Sequence, residues 1–161
     1  MRFVLVDRFL ELEPGKRALA SRVFPPDDEL FADHFPGFPV VPGVLITEAM
    51  GQTGGWLVAA TYGFDRWPLL VLVEGAKFSR LVLPGEELRL EVTLAASRES
   101  SWQVRAEARV DGERAAEARL VYHAFDPVAA GIAPETFQGW VRSTFEAIGG
   151  PAALAAGGSR A

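Results

Sequence analysis

Residues 34–62 read HFPGFPVVPGVLITEAMGQTGGWLVAATY, and the rest of the chain has to fold around this stretch. Prolines stand at 36, 39 and 42. Each lacks an amide donor and disfavours helix at the residue before it, so His34 to Gly43 must be a stiff extended loop. Helix becomes possible only past Pro42. From Gly43 to Tyr62 the chain is apolar on nearly every face, which predicts a helix buried all round. Gly51, Gly54 and Gly55 each cost that helix roughly 1 kcal/mol relative to Ala. Their missing side chains imply that something packs close there.

Strands flank this helix on both sides. Phe3 to Leu12 is rich in strand-forming residues, Glu13-Pro14-Gly15-Lys16 is a turn, and Arg17 to Phe24 is a second strand stopped by Pro25-Pro26. Asp27 to Phe31 suits a short turn of helix. Beyond the helix, Leu69 to Phe78 is a continuous apolar run, followed by a turn at Pro84-Gly85. Leu88, Leu90, Val92 and Leu94 alternate with polar residues, as do Trp102, Val104, Ala106, Ala108 and Val110, which predicts antiparallel strands with one buried face. Asp111-Gly112 is a hairpin turn, and Glu117 to Phe125 is the last strand. The sum is an α+β arrangement, a curved antiparallel sheet packed on one long helix. After Asp126, Pro134, Phe137, Trp140, Val141, Phe145 and Ile148 recur at helical spacing, with Gly149-Gly150 as a stop. The chain thus divides into a domain over 1–126 and an extension over 127–161. The extension is expected to hold a helix at about 134–148 that docks on the fold without taking part in chemistry, then an Ala/Gly-rich flexible tail from Pro151.

Composition narrows the function. The 161 residues carry 16 Lys and Arg against 21 Asp and Glu, a net charge of −5, which disfavours nucleic acid. There is no cysteine, so disulfides, thiolate catalysis and cysteine-bound zinc are excluded. His34 and His123 are the only histidines, too few for a multi-histidine centre, so neither metal nor cofactor is expected. The N-terminal apolar core is too short for a signal peptide, and charged residues interrupt it at Asp7 and Arg8. Pro42 and Glu48 break the longest apolar stretch, so no membrane span is expected and the cytoplasm is the expected location.

Between His34 and Asp65 the one acidic or basic side chain is Glu48. A carboxylate in an apolar helix costs several kcal/mol unless it is paired or protonated. Its structural reading is a hydrogen bond to Gln52, one turn on. Its functional reading is an acid that burial keeps protonated. His34 has the same two readings, a structural residue at a loop edge or a base aimed by the three prolines. Gly43 and Val44 begin the helix, where free N–H groups and the dipole can hold a carbonyl oxygen as it gains negative charge. His123 lies in an alternating strand and reads as structural.

The stretch Asp33 to Met50, DHFPGFPVVPGVLITEAM, resembles the signature of the 3-hydroxyacyl-[acyl-carrier-protein] dehydratases of the hotdog fold. FVLVDR at 3–8, Ala76-Lys77-Phe78 and LPGE at 83–86 resemble that family's first strand, a later strand and its turn. The resemblance spans roughly residues 3–125. It implies a sheet wrapped around the central helix, with His34 and Glu48 as a catalytic pair contributed by different subunits of a homodimer or of a larger oligomer built from dimers. It places the thioester carbonyl on the Gly43 N–H, with Val44 beside it, and Gln52 in support of the carboxylate. Glu rather than Asp at 48 resembles the dehydratase-only branch. The implied substrate is a 3-hydroxyacyl thioester of acyl carrier protein or coenzyme A. Lys77 and Arg80 are the expected docking residues for the carrier. Asp33 stands where glycine is commonest, Gly51 where alanine is usual, and the extension after Asp126 is additional. Two alternatives are an acyl-thioesterase on the same fold, which would need no His, and a non-catalytic acyl-binding domain.

Overall fold

The computed structural model describes residues 3–158, and in it the central helix starts where the prolines end: α1 runs Gly43–Thr61 with Pro42 as its N-cap. Around it lie β1 (Arg8–Glu13), β2 (Arg17–Val23), β3 (Trp67–Phe78), β4 (Glu87–Arg98), β5 (Ser101–Val110) and β6 (Glu113–Phe125). They form one antiparallel sheet in the order β1-β2-β4-β5-β6-β3. Asp27 to Phe31 gives way to a 3-10 turn over Glu29–Ala32, capped by Asp28.

Alternation in the sequence becomes the inner face of the sheet. Leu88, Leu90, Val92, Trp102, Val104, Leu120 and Tyr122 are buried in one core with Met50, Leu57 and Val58 of α1. Ala106 faces Ala118 and Ala108 faces Ala116 across the β5–β6 ladder. Paired alanines keep that part of the sheet shallow where the helix lies over it. Register shifts at Leu70/Leu72 and Glu74/Lys77 interrupt the β3–β6 ladder, and such bulges bend a strand. Asp111 and Gly112 both take positive φ, 51° and 83°, as a tight hairpin between right-twisted strands requires.

Two expectations need correction. The first strand begins at Arg8, not Phe3. Residues 3–7 are instead tied to other elements: the Leu5 N–H donates to Gln52 and the Asp7 N–H to the Ser21 carbonyl. The extension also differs. α2 spans Pro134–Ala147 as its periodicity predicts, but α3 (Gly150–Gly158) forms where a flexible tail is expected. Alanine is the strongest helix former, and the segment has a surface to bury Ala153 and Leu154 against, next to β1. Gly149 at φ +71° turns the chain between the two helices. The Phe9 N–H donates to the Ile148 carbonyl, which covers part of the β1 edge. Residues 159–161 of the expected tail lie outside the described residues.

Candidate active site

The three prolines leave few amides in the loop, and those present are used. His34 and Val40 bridge its ends, the Val40 N–H donating to the His34 carbonyl at 3.1 Å. Phe35 and Phe38 exchange N–H···O bonds at 3.2 and 2.9 Å, and the Val41 N–H donates to Val82. The His34–Phe35 peptide is cis, and the two rings stack with centroids 4.2 Å apart. His34 Nδ1 lies 3.1 Å from the Val40 carbonyl. A carbonyl can only accept, so in the neutral ring Nδ1 is the nitrogen that carries the proton and Nε2 the one with the lone pair. The loop therefore fixes His34 in the tautomer that a base needs.

Glu48 is oriented in a similar way. Gln52 Oε1 accepts from the Leu5 N–H at 2.8 Å, which turns Nε2 the other way. Nε2 then donates to Glu48 Oε1 at 3.0 Å. Glu48 Oε2 has no hydrogen-bond partner among the described residues. At the start of α1 the Gly43 and Val44 N–H groups likewise have no acceptor among the described residues, as the first turn of a helix leaves them. Gly43 has a second reason to be glycine: a Cβ there would stand 2.9 Å from the Phe78 ring.

Glu48 lines a cavity of about 410 Å³ between α1 and β3, shared with Gly51, Gln52, Trp56, Leu70 and Tyr122. The Tyr122 hydroxyl donates to the Gly51 carbonyl at 2.7 Å. Burial, and then the nearby Glu48 charge, push its pKa well above the ordinary tyrosine value, so it remains a neutral phenol. Trp140 and Thr144 of α2 also face this cavity. Sequence reasoning named none of Tyr122, Trp140 and Thr144 as site residues. The one available signal for Tyr122 was the glycine run opposite it.

His34 is not among the residues that line the Glu48 cavity. Lys77 is exposed, with Glu117 at 3.6 Å; Arg80 is half-buried and held by Glu86 at 2.7 Å and Glu113 at 3.8 Å. Asp33 is exposed at the end of the 3-10 turn, and His123 is exposed on β6, in register with Leu69 and Ser101. No helix among the described residues is long and apolar enough to cross a membrane. No three His, Cys, Asp or Glu side chains among them gather as a metal site would require.

A family model described as a FabA-like domain matches residues 1–119. A 3-hydroxyacyl-[acyl-carrier-protein] dehydratase FabZ of Chloroflexus aggregans is 44% identical over 128 residues, covering 78% of this chain and 88% of the relative. One of the same name from Geotalea uraniireducens is 41% identical over 121 residues, covering 73% and 83%. Among solved structures, a conserved protein of Pseudomonas aeruginosa superposes with a TM-score of 0.60 at 21% identity, over 73% of this chain and 87% of its own. A dehydratase heterocomplex of Xenorhabdus doucetiae does so with a TM-score of 0.61 at 16% identity, over 78% and 85%. At such identities the structural likeness speaks for the fold.

Proposed function

The chain belongs to the FabA-like family, and from that premise we propose that it dehydrates 3-hydroxyacyl-[acyl-carrier-protein] to the trans-2-enoyl thioester in cytoplasmic fatty acid biosynthesis. The observation that carries this reading is the Glu48 carboxyl, held by Gln52 with one oxygen left free toward an apolar cavity. Elimination of water needs a base at C2, an acid at the 3-hydroxyl and a donor for the enolate oxygen. His34 Nε2 takes the C2 proton. The negative charge moves onto the thioester oxygen, where the Gly43 and Val44 N–H groups receive it. The C3–O bond breaks as the proton on Glu48 Oε2 passes to the departing hydroxyl, and water leaves. The imidazolium and carboxylate left behind are reset by one proton transfer between them.

His34 and Glu48 then have to meet across two subunits, and the surface supports such a dimer. β3 is an edge strand with Leu69, Val71, Leu72 and Val73 exposed; Phe78 at its end, Leu81 beyond it, and Phe35 and Phe38 of the proline loop are exposed too. An apolar edge of this kind needs cover. Lys77 and Arg80 are the proposed contacts for the carrier. Arg80 is half-buried and held by Glu86 at 2.7 Å, whereas Lys77 is exposed and lies 3.6 Å from Glu117, so Lys77 is the more available of the two.

The test is to supply 3-hydroxybutyryl-acyl-carrier-protein and follow enoyl absorbance and free thiol together. Enoyl product without thiol is expected. Free thiol without enoyl product would make the chain a thioesterase.

A further inference from the structure

We propose that Trp140, from the extension beyond residue 126, ends the acyl pocket and limits the length of chain that the Glu48 site accepts. An acyl occupant follows from the dehydratase reading; the wall itself is a matter of geometry. Glu48, Gly51, Gln52, Gly55 and Trp56 lie on one face of α1, and all five line the same cavity. Its volume of about 410 Å³ is that of a small-ligand pocket. From Glu48 to Trp56 the helix rises about 12 Å.

Two glycines keep this path open. A Cβ at Gly51 would stand 3.2 Å from Leu70 and 3.9 Å from Glu48 Oε2; one at Gly55 would stand 3.8 Å from Tyr122 and 3.9 Å from Pro68. A side chain at either position would fill the space between α1 and β3. At the Trp56 end the path meets α2. Trp140 stacks on Trp56 with centroids 6.2 Å apart and rings 27° from parallel, and meets Trp67 edge-on at 5.3 Å. Trp140 lines the cavity and is 47% exposed, so it stands at the margin of the pocket rather than in the core. Thr144, one turn on, lines the same cavity. Both residues lie outside the stretch 1–119 matched by the family model. The pocket is therefore closed by a segment that stands apart from the chemistry and can change without disturbing it.

The experiment compares the full-length protein with Trp140→Ala on 3-hydroxyacyl-carrier substrates from butyryl to palmitoyl. In parallel it measures binding of the matching acyl-pantetheine amides, which cannot react. Trp140→Ala should raise the palmitoyl-to-butyryl ratio of kcat/KM by about tenfold, through KM. The amide series should shift the same way, and Trp140→Phe should fall between. Should Trp140→Ala lose the helical signal of α2, Thr144→Leu decides: it adds bulk to the pocket and should weaken only the long amides. Equal changes at every chain length, or none, would overturn the proposal. If the unsubstituted protein makes no enoyl product from any substrate, the dehydratase reading fails, while the amide series still decides the wall.

Discussion

His34 and Glu48 are both held by neighbours that have no chemistry of their own. The Val40 carbonyl fixes the His34 tautomer, and the Leu5 N–H turns the Gln52 amide so that it holds Glu48. His34→Ala and Glu48→Gln should each lower kcat/KM by about 10²–10⁴. The double variant should be no worse than the poorer single one, because the pair acts as a unit. A single variant with near-normal turnover and an intact dimer would remove that residue from the mechanism. Tyr122 makes a different prediction. Its pKa in the folded protein is raised by burial and by the Glu48 charge. Below the unfolded value of about 10 the phenol is neutral in both states and adds no pH dependence. Above it the unfolded chain loses the proton while the folded one keeps it, so stability must fall as pH rises. Melting temperatures taken on both sides of that value should show this decline, and Tyr122→Phe should flatten it.

At the scale of elements, Gly54 of α1 is a packing requirement. A Cβ on Gly54 would stand 2.5 Å from the Tyr122 hydroxyl, the end of a rigid buried ring. Gly54→Ala should destabilise by about 1–3 kcal/mol through overpacking. Tyr122→Phe removes the clashing oxygen, so the double variant should recover part of that loss, a coupling that denaturant unfolding of all four proteins would measure. The extension is a second packing unit. Val141, Phe145 and Ile148 are buried, each with a burial free energy of about 1.5–3 kcal/mol. Cutting after Asp126 should lower the melting temperature by several degrees, at about 2–4 °C per kcal/mol. Dehydration of short acyl chains should survive the cut. A truncated protein with an unchanged melting temperature would mean that α2 and α3 contribute no stability.

At the scale of the whole molecule, His34 of one chain serves Glu48 of the other in the proposed dimer. Mixing His34→Ala with Glu48→Gln should restore activity to about a quarter of the native level, since half of randomly paired dimers then hold one whole site of two. No recovery on subunit exchange would mean that both groups act within one chain. Placing a charge on the exposed edge, as in Leu72→Lys, should shift the protein toward monomer in sedimentation and abolish turnover in step. Lys77 is exposed on β3, with Glu117 3.6 Å away. Lys77→Glu should slow association with the carrier, by a factor that shrinks as salt is added.

Much of this was legible in the residues alone. Three prolines forbade helix before Gly43, a largely apolar run demanded a buried helix after it, and period-two alternation set the inner face of the sheet. Glu48 stood out because an apolar helix has few reasons to hold a carboxylate. Such patterns are local, and local sterics and hydrophobic spacing are enough to read them. Other features depend on contacts between residues far apart in the chain. Gln52 takes its orientation from Leu5, 47 residues away, and Tyr122 meets Gly51 from 71 residues away. An Ala/Gly-rich segment reads as flexible until a surface exists for Ala153 and Leu154 to bury against, and then it is α3. Trp140 looks like any apolar position of an amphipathic helix. It becomes a wall of the Glu48 cavity only because α2 lands on Trp56, and no spacing within the helix records where it will land.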